Sequence, residues 1–149
     1  MGIMSICYSA NQRDHWKANP QNSARAGQPI SVVIIDSLAV FRSTLRKMIR
    51  DRIPQANIVE IDDFERVREV LNSQSPDVIF IDPAIFPSKS IERLRSIKHQ
   101  QPNSVIVVLT NHDSVEHKAA ALKHGANYFF SKTDSSIKSL INTVDKTLS

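Results

Sequence analysis

From Ser31 onward, short apolar runs alternate with longer segments in which apolar residues recur at helical spacing. Five runs predict strands: Ser31–Asp36, Asn57–Ile61, Asp77–Asp82, Val105–Thr110 and Asn127–Phe130. The segments that follow them predict helices: one with an apolar stripe of Val40, Phe41, Leu45, Met48 and Ile49, then Phe64–Ser73, Ser90–Gln100, Ser114–His124 and Ser135–Leu148. Five strands alternating with five helices predict an α/β domain built on a parallel sheet.

The composition of the strands predicts their order in the sheet. The first, third and fourth are continuous apolar runs, as expected for strands covered on both faces. The second contains Glu60 and the fifth is short and aromatic, which suits the two edges. We therefore expect a doubly wound five-stranded sheet of order 2-1-3-4-5, with helices on both faces, as in flavodoxin-like folds. In such a sheet, ligands bind beyond the carboxyl ends of the strands.

The first 30 residues differ from the rest of the chain. They are rich in Asn, Gln, Ser and Ala and show neither helical nor strand periodicity. We expect residues 1–30 to form a flexible N-terminal extension and residues 31–149 to form the folded domain. The whole chain is 41% hydrophobic and 23% charged, which is typical of a soluble globular protein. No apolar run approaches the roughly 18 residues of a membrane span, so we expect no membrane partner.

Residue counts exclude several kinds of site. The single cysteine, Cys7, excludes an intramolecular disulfide and a multi-cysteine zinc site. The three glycines are too few for a glycine-rich phosphate-binding loop. The net charge of +4 is a mild surplus shared between the extension and the domain, which is more typical of a solubility effect than of a nucleic-acid footprint.

Four chemically active side chains fall at the carboxyl ends of the predicted strands. Asp36 ends the first strand, Asp82 the third and Thr110 the fourth, and Lys132 follows the fifth. A carboxylate can attack phosphorus and form an acyl phosphate. Positive charge from Mg²⁺ on carboxylate oxygens and from a lysine assists such a transfer, and a threonine hydroxyl can donate to a phosphoryl oxygen.

The segments that carry these side chains are VVIIDSLAVFRSTL, PDVIFIDPAIFP, VIVVLTNHDS and HGANYFFSK. In them the chain resembles the receiver domain of two-component response regulators, and in particular stand-alone receivers related to those of LuxR-type regulators. The resemblance implies that Asp82 is the phosphoacceptor and that Thr110 and Lys132 contact the phosphoryl group. It also implies that Phe129 is the aromatic switch residue, and that Mg²⁺ is held by Asp36, Asp82 and the backbone carbonyl of Ala84.

Two residues depart from the family pattern. Ser37 stands where receivers have the second of two adjacent acids, and Pro83 directly follows the phosphoacceptor. A site with one carboxylate fewer should hold the strongly hydrated Mg²⁺ ion more weakly. Ser37 also has the side chain of a helix N-cap, and we expect it to cap the first helix.

The leading interpretation is a single-domain response regulator of a bacterial phosphorelay, located in the cytoplasm and not an enzyme. It would take a phosphoryl group from phosphohistidine on a histidine kinase or a phosphotransfer protein. No residues remain after the fifth helix for an output domain, so we expect signalling by contact with a downstream protein. The first helix, with Arg42, Arg46 and Arg50 at i, i+4 spacing, is the expected partner surface, although such a ladder is more often a solvated face. Homodimer formation stays open.

Three alternatives remain. The degenerate acid pair and Pro83 also fit a pseudo-receiver, a protein-binding module that acts without phosphorylation. The positive charge leaves a weak case for a nucleic-acid binder. A flavin carrier of flavodoxin type would share the topology, but Ser37, Leu38 and Ala39 make a poor phosphate cradle.

Overall fold

The computed structural model describes residues 28–133 and 137–148. The strands are β1 (Ser31–Ile35), β2 (Asn57–Ile61), β3 (Val78–Ile81), β4 (Val105–Thr110) and β5 (Tyr128–Ser131). The helices are α1 (Ala39–Arg52), α2 (Phe64–Ser73), α3 (Arg93–Gln100), α4 (Val115–Lys123) and α5 (Ile137–Leu148). A short 3-10 turn, Pro83–Ile85, follows β3.

All strand pairs are parallel, and the order is β2-β1-β3-β4-β5. The predicted fold class and strand order are therefore confirmed. β1, β3 and β4 are buried along their whole lengths, because they lie inside the sheet and carry helices on both faces. β2 lies at one edge, and its partly exposed Glu60 is tolerated there.

Alternate residues of each strand point to opposite faces, which divides the core in two. Val32 and Ile34 of β1 belong to a cluster packed with α1 and α5. Val33 and Ile35 belong to a second cluster packed with α2, α3 and α4. The sheet thus separates a two-helix face from a three-helix face.

Helix boundaries differ from the prediction where loop geometry decides them. The third helix was expected from Ser90, but α3 begins at Arg93, because Lys89 has a left-handed φ of 52° and a turn precedes the helix. At α2 the carboxylate of Asp63 accepts from the backbone N–H of Glu65 and caps the helix. After α4, Gly125 has a φ of 114°, a conformation that favours glycine.

Most of the predicted extension, residues 1–27, lies outside the described residues. Ile30, at its end, is partly buried and packs against the core on the two-helix face. Across residues 28–133 and 137–148, no helix combines the length and apolarity that crossing a membrane requires.

Candidate functional site

The parallel sheet brings Asp36, Asp82 and Lys132 together at its carboxyl edge. Each residue comes directly after a strand, and its backbone N–H continues the sheet hydrogen bonding. Asp36 donates to the carbonyl of Ile61 at 3.0 Å, and Asp82 to that of Ile35 at 3.0 Å. Lys132 donates to the carbonyl of Thr110 at 2.9 Å. The backbone positions of the three charged residues are therefore fixed by the sheet itself.

The ammonium group of Lys132 lies between the two carboxylates. Its Nζ is 2.6 Å from Oδ2 of Asp36 and 2.7 Å from Oδ2 of Asp82. Neither contact has the angles of a hydrogen bond, so the attraction is that of close opposite charges. The lysine side chain is only 4% exposed, and so little water screens these charges.

The second oxygen of each carboxylate accepts a backbone N–H. Oδ1 of Asp36 accepts from Leu38 at 2.9 Å, and Oδ1 of Asp82 accepts from Ala84 at 3.0 Å. Ser37 is exposed, and the residue at the N-cap of α1 is Leu38, which makes no side-chain cap. The expectation that Ser37 caps the first helix is therefore wrong: Asp36 binds the backbone of this loop instead.

Two residues of α1 support the cluster, and sequence reasoning missed both roles. Lys132 Nζ lies 4.5 Å from the centroid of the Phe41 ring, within the range of a cation–π contact. Nη1 of Arg42 donates to the backbone carbonyl of Asp36 at 2.7 Å. Phe41 was assigned only to the apolar stripe of the helix, and a lysine partner for it has no signal in the spacing.

Thr110 lies beside this cluster, at the end of β4. It is 3% exposed, and its Oγ1 accepts from the backbone N–H of His112 at 3.1 Å. Thr110 lines a cavity of about 240 Å³ together with Pro83 and Ala84, the two residues that follow Asp82. Thr110 and the loop after Asp82 thus line one cavity, although Oγ1 of Thr110 makes no hydrogen bond to Asp82 or Lys132 among the described residues.

A family model for the response regulator receiver domain matches residues 32–145. The chain belongs to this family. Phosphorylation of an aspartate is typical of receivers, and the family explains why two acids, a threonine and a lysine meet at one sheet edge.

Known proteins extend the match. The chain is 26% identical over 103 residues to the transcriptional regulatory protein DegU of Brevibacillus brevis, covering 69% of this chain and 44% of DegU. It therefore spans less than half of that relative. A LuxR-family two-component response regulator from Aurantimonas has the same fold, with a TM-score of 0.71 at 20% identity over 81% of this chain and 86% of that one.

A Burkholderia pseudomallei response regulator, solved with a phosphorylated aspartic acid, calcium ion and citrate, also shares the fold. Its TM-score is 0.67 at 18% identity, covering 80% of this chain and 66% of that one.

Phe129, which the resemblance predicts to be the aromatic switch residue, is 1% exposed. It belongs to the core cluster on the three-helix face, whereas Phe130 belongs to the cluster on the other face. The sequence indicated that at least one of the two is a core aromatic, and both are. A conformational switch through Phe129 would therefore repack a buried ring.

The three arginines of the expected partner surface bind their own chain. Glu60 of β2 accepts from Arg42 Nε at 3.0 Å and from Arg46 Nη1 at 2.8 Å. Nη1 of Arg50 donates to the backbone carbonyl of Ala56 at 3.1 Å. These contacts hold the three arginine side chains of α1 against β2 and the residue before it. Their role in partner binding stays a prediction.

The oxygen atoms at this site are of the type that binds Mg²⁺, the ion that the family implies. Two carboxylates and a carbonyl supply oxygen ligands, and Mg²⁺ in proteins commonly takes one or two carboxylates and retains waters. Ser37 adds no charge, and within the described ranges no group of three or more His, Cys, Asp or Glu side chains is arranged to hold a metal. The site fits the ion with one acid fewer than a complete receiver has.

Proposed function

We propose that this receiver accepts a phosphoryl group from phosphohistidine on Asp82 and signals through protein contact. The observation that carries the proposal is the position of Lys132 Nζ, within 2.7 Å of Asp82 Oδ2 and 2.6 Å of Asp36 Oδ2. The cluster joins a nucleophilic carboxylate to a buried cation at the edge where parallel α/β sheets bind ligands.

The transfer needs one nucleophile and one leaving group. Oδ2 of Asp82 attacks phosphorus, the new O–P bond forms as the P–N bond to the donor imidazole breaks, and the imidazole leaves with the bonding electron pair and takes a proton from solvent. Lys132, already beside Oδ2, stabilises negative charge on the phosphoryl oxygens. The N–H of Ala84 keeps the carboxylate oriented through its other oxygen.

Asp36, Asp82 and the Ala84 carbonyl would hold Mg²⁺, which when bound supplies further positive charge to the phosphoryl oxygens. Because Ser37 stands where other receivers have an acid, we expect the site to bind this ion weakly. Lys132 is then the main resident positive charge of the site, so it carries more of the charge balance here than in a receiver with the complete acid pair.

The signal would pass from the phosphoryl group to the face around α4 and β5. A phosphoryl oxygen attracts the hydroxyl of Thr110, and a shift of Thr110 lets Phe129 repack, which favours one of two packings of this face. The chain would act as a regulator in a bacterial cytoplasm, where phosphohistidine donors are made, with a protein target and no catalytic turnover of its own.

The start of α1 is the best-supported docking surface for the phosphodonor. Leu38 and Val40 are 51% and 81% exposed, and they follow Asp36 by two and four residues along the chain. Val115, 79% exposed, begins α4 beyond the end of β4. Apolar side chains grouped around a reactive residue suit a partner that must bring its phosphohistidine to Asp82.

Incubation with acetyl phosphate and millimolar magnesium, followed by intact-mass measurement, tests the transfer. We expect a gain of one phosphoryl group that is absent in Asp82→Ala and retained in Asp62→Ala, which removes an exposed acid directly after the edge strand β2. Folded protein that gains no phosphoryl group would contradict the proposal.

The second candidate is a pseudo-receiver that binds its partner without phosphorylation. It is favoured by the occupation of both carboxylates by Lys132 and by the absence of an acid at Ser37. In that case partner binding should be the same for the wild type and for Asp82→Asn.

A further inference from the structure

A groove of about 750 Å³ lies between α2 and α3, on the three-helix face of the sheet. It is separate from the phosphoacceptor cavity, and the two share no lining residue. Its basic lining residues are Arg68 of α2 and Arg93, Arg95 and His99 of α3. Basic side chains from two helices therefore line one groove.

The arginines of this groove differ from all the others in the described part of the chain. Arg42, Arg46, Arg50, Arg52 and Arg66 each bind an acid or a backbone carbonyl of the chain itself.

Arg68, Arg93 and Arg95 have no ion pair or hydrogen bond from their guanidinium groups to any described residue. The three arginines that lack such a partner in residues 28–133 and 137–148 therefore all line the same groove.

No acidic side chain lines this space between the two described helices. Glu65 and Glu69 of α2 and Glu92, just before α3, lie close in sequence but outside the lining. The positive charge is thus free to attract an anion, and guanidinium groups bind phosphate with two parallel hydrogen bonds.

The groove also has aromatic and amide surface. Phe64, at the start of α2, is 38% exposed, whereas Phe86 is only 8% exposed and belongs to the core below the groove. The guanidinium of Arg93 lies 5.5 Å from the centroid of the Phe86 ring, which orients it over the groove. Gln100 donates to Asn72 Oδ1 at 2.6 Å, and this amide pair lines the groove with hydrogen-bonding groups.

We propose that the groove between α2 and α3 binds a nucleotide, with its phosphates on the arginines and its base against the exposed ring of Phe64. The volume lies within the roughly 300–1,000 Å³ of small-molecule sites. A planar base suits the ring of Phe64, the polyphosphate suits the guanidinium groups, and the amide pair can form hydrogen bonds with the edge of the base. The proposal does not depend on phosphorylation of Asp82.

The chain's own extension is a poor occupant of the groove. In residues 1–30, Arg13, Lys17 and Arg25 outnumber the single acid Asp14, so this segment would bring positive charge to a positive surface. An acidic peptide would match the charge, but it would leave the exposed aromatic ring of Phe64 without a planar partner.

Calorimetry and amide NMR of the full chain test the proposal with ATP, GTP, adenosine and inorganic triphosphate as probes. We expect ATP or GTP to bind with a dissociation constant below about 1 mM. The shifted amides should be those of α2 and α3. Adenosine and triphosphate should each bind at least tenfold more weakly, because adenosine lacks the phosphates and triphosphate lacks the base.

The matched variants are Arg68→Gln and Arg66→Gln, two residues apart on α2. Arg68 is unpaired in the groove, whereas Arg66 pairs with Asp62 outside it, at 3.9 Å. Loss of a charge-assisted bond to phosphate should weaken nucleotide binding about tenfold in Arg68→Gln and leave it unchanged in Arg66→Gln. Arg93→Gln should weaken it at least as much.

Four results would overturn the proposal. The first is no heat and no groove shifts with either nucleotide at millimolar concentration. The second is equal binding of triphosphate and ATP, since contact between the base and Phe64 would then add nothing to the affinity. The third is shifts confined to Thr110 and Lys132, which would place the phosphates in the receiver site. A polyglutamate peptide that binds more tightly than the nucleotides would assign the groove to an acidic protein instead.

Discussion

The carboxyl edge of the sheet and the groove between α2 and α3 use positive charge in opposite ways. At the sheet edge, Lys132 is buried against two carboxylates, and Arg42 binds both Glu60 and the backbone of Asp36. In the groove, Arg68 and Arg93 meet no acid among the described residues. In the first region opposite charges bind one another, whereas in the second the guanidinium groups are exposed and meet no acid among the described residues.

This difference predicts which charged residues stabilise the fold and which do not. A buried charge that loses its partner costs several kcal/mol, whereas an exposed charge without a partner costs almost nothing to remove. Stability measurements on single variants should therefore distinguish the two regions.

The largest effect is expected for Lys132→Met. It leaves the carboxylates of Asp36 and Asp82 buried without their cation, which should lower the free energy of unfolding by about 3 kcal/mol. Urea titration at neutral pH measures it, with Lys123→Met as the exposed-lysine control. The triple variant Lys132→Met/Asp36→Asn/Asp82→Asn should regain most of the loss. A loss below about 0.5 kcal/mol in the single variant would show that Lys132 does not stabilise the fold.

A backbone position outside both regions comes next. Gly125→Ala places a side chain at a φ of 114°, and its Cβ would come within 2.9 Å of Lys98 Cβ on α3. We expect a loss of about 2 kcal/mol in urea titration, with phosphorylation of Asp82 retained in the folded fraction. Unchanged stability would show that the α4–β5 connection adopts another backbone conformation.

Glu60→Gln weakens the pairing of two arginines at once. Glu60 binds Arg42 and Arg46 on a partly exposed face, so the loss should be about 1 kcal/mol and should shrink at high salt. Glu69→Gln, an exposed acid on α2, is the control. Equal midpoints of unfolding for the two variants at low salt would mean that the pairs at β2 add no stability.

The smallest effect is expected in the groove. Arg68→Gln should change the free energy of unfolding by less than about 0.5 kcal/mol, because its guanidinium has no partner to lose. Arg42→Gln, measured by the same titration, should cost more. A loss in Arg68→Gln as large as that in Arg42→Gln would remove the distinction between the two regions.

The strand order and the meeting of Asp36, Asp82 and Lys132 follow from the sequence, since apolar runs locate buried strands and the carboxyl ends of parallel strands meet at one edge. The cap of α1 does not follow, because the choice between Ser37 and Asp36 depends on backbone angles that the residue types leave open. The binding of Arg42 and Arg46 to Glu60 depends on how α1 lies against β2, and the groove depends on the rotation of α2 and α3. Neither is encoded in local spacing.

Trapping of the acyl phosphate tests the assignment of Asp82 most directly. The protein is treated with acetyl phosphate and magnesium and then reduced with borodeuteride, which converts an aspartyl phosphate to deuterated homoserine. Peptide mass spectrometry then locates the modified residue. Phosphorylation of this receiver predicts homoserine at position 82 and nowhere else. Homoserine at Asp36 or another acid, or none in protein that is folded, would contradict it.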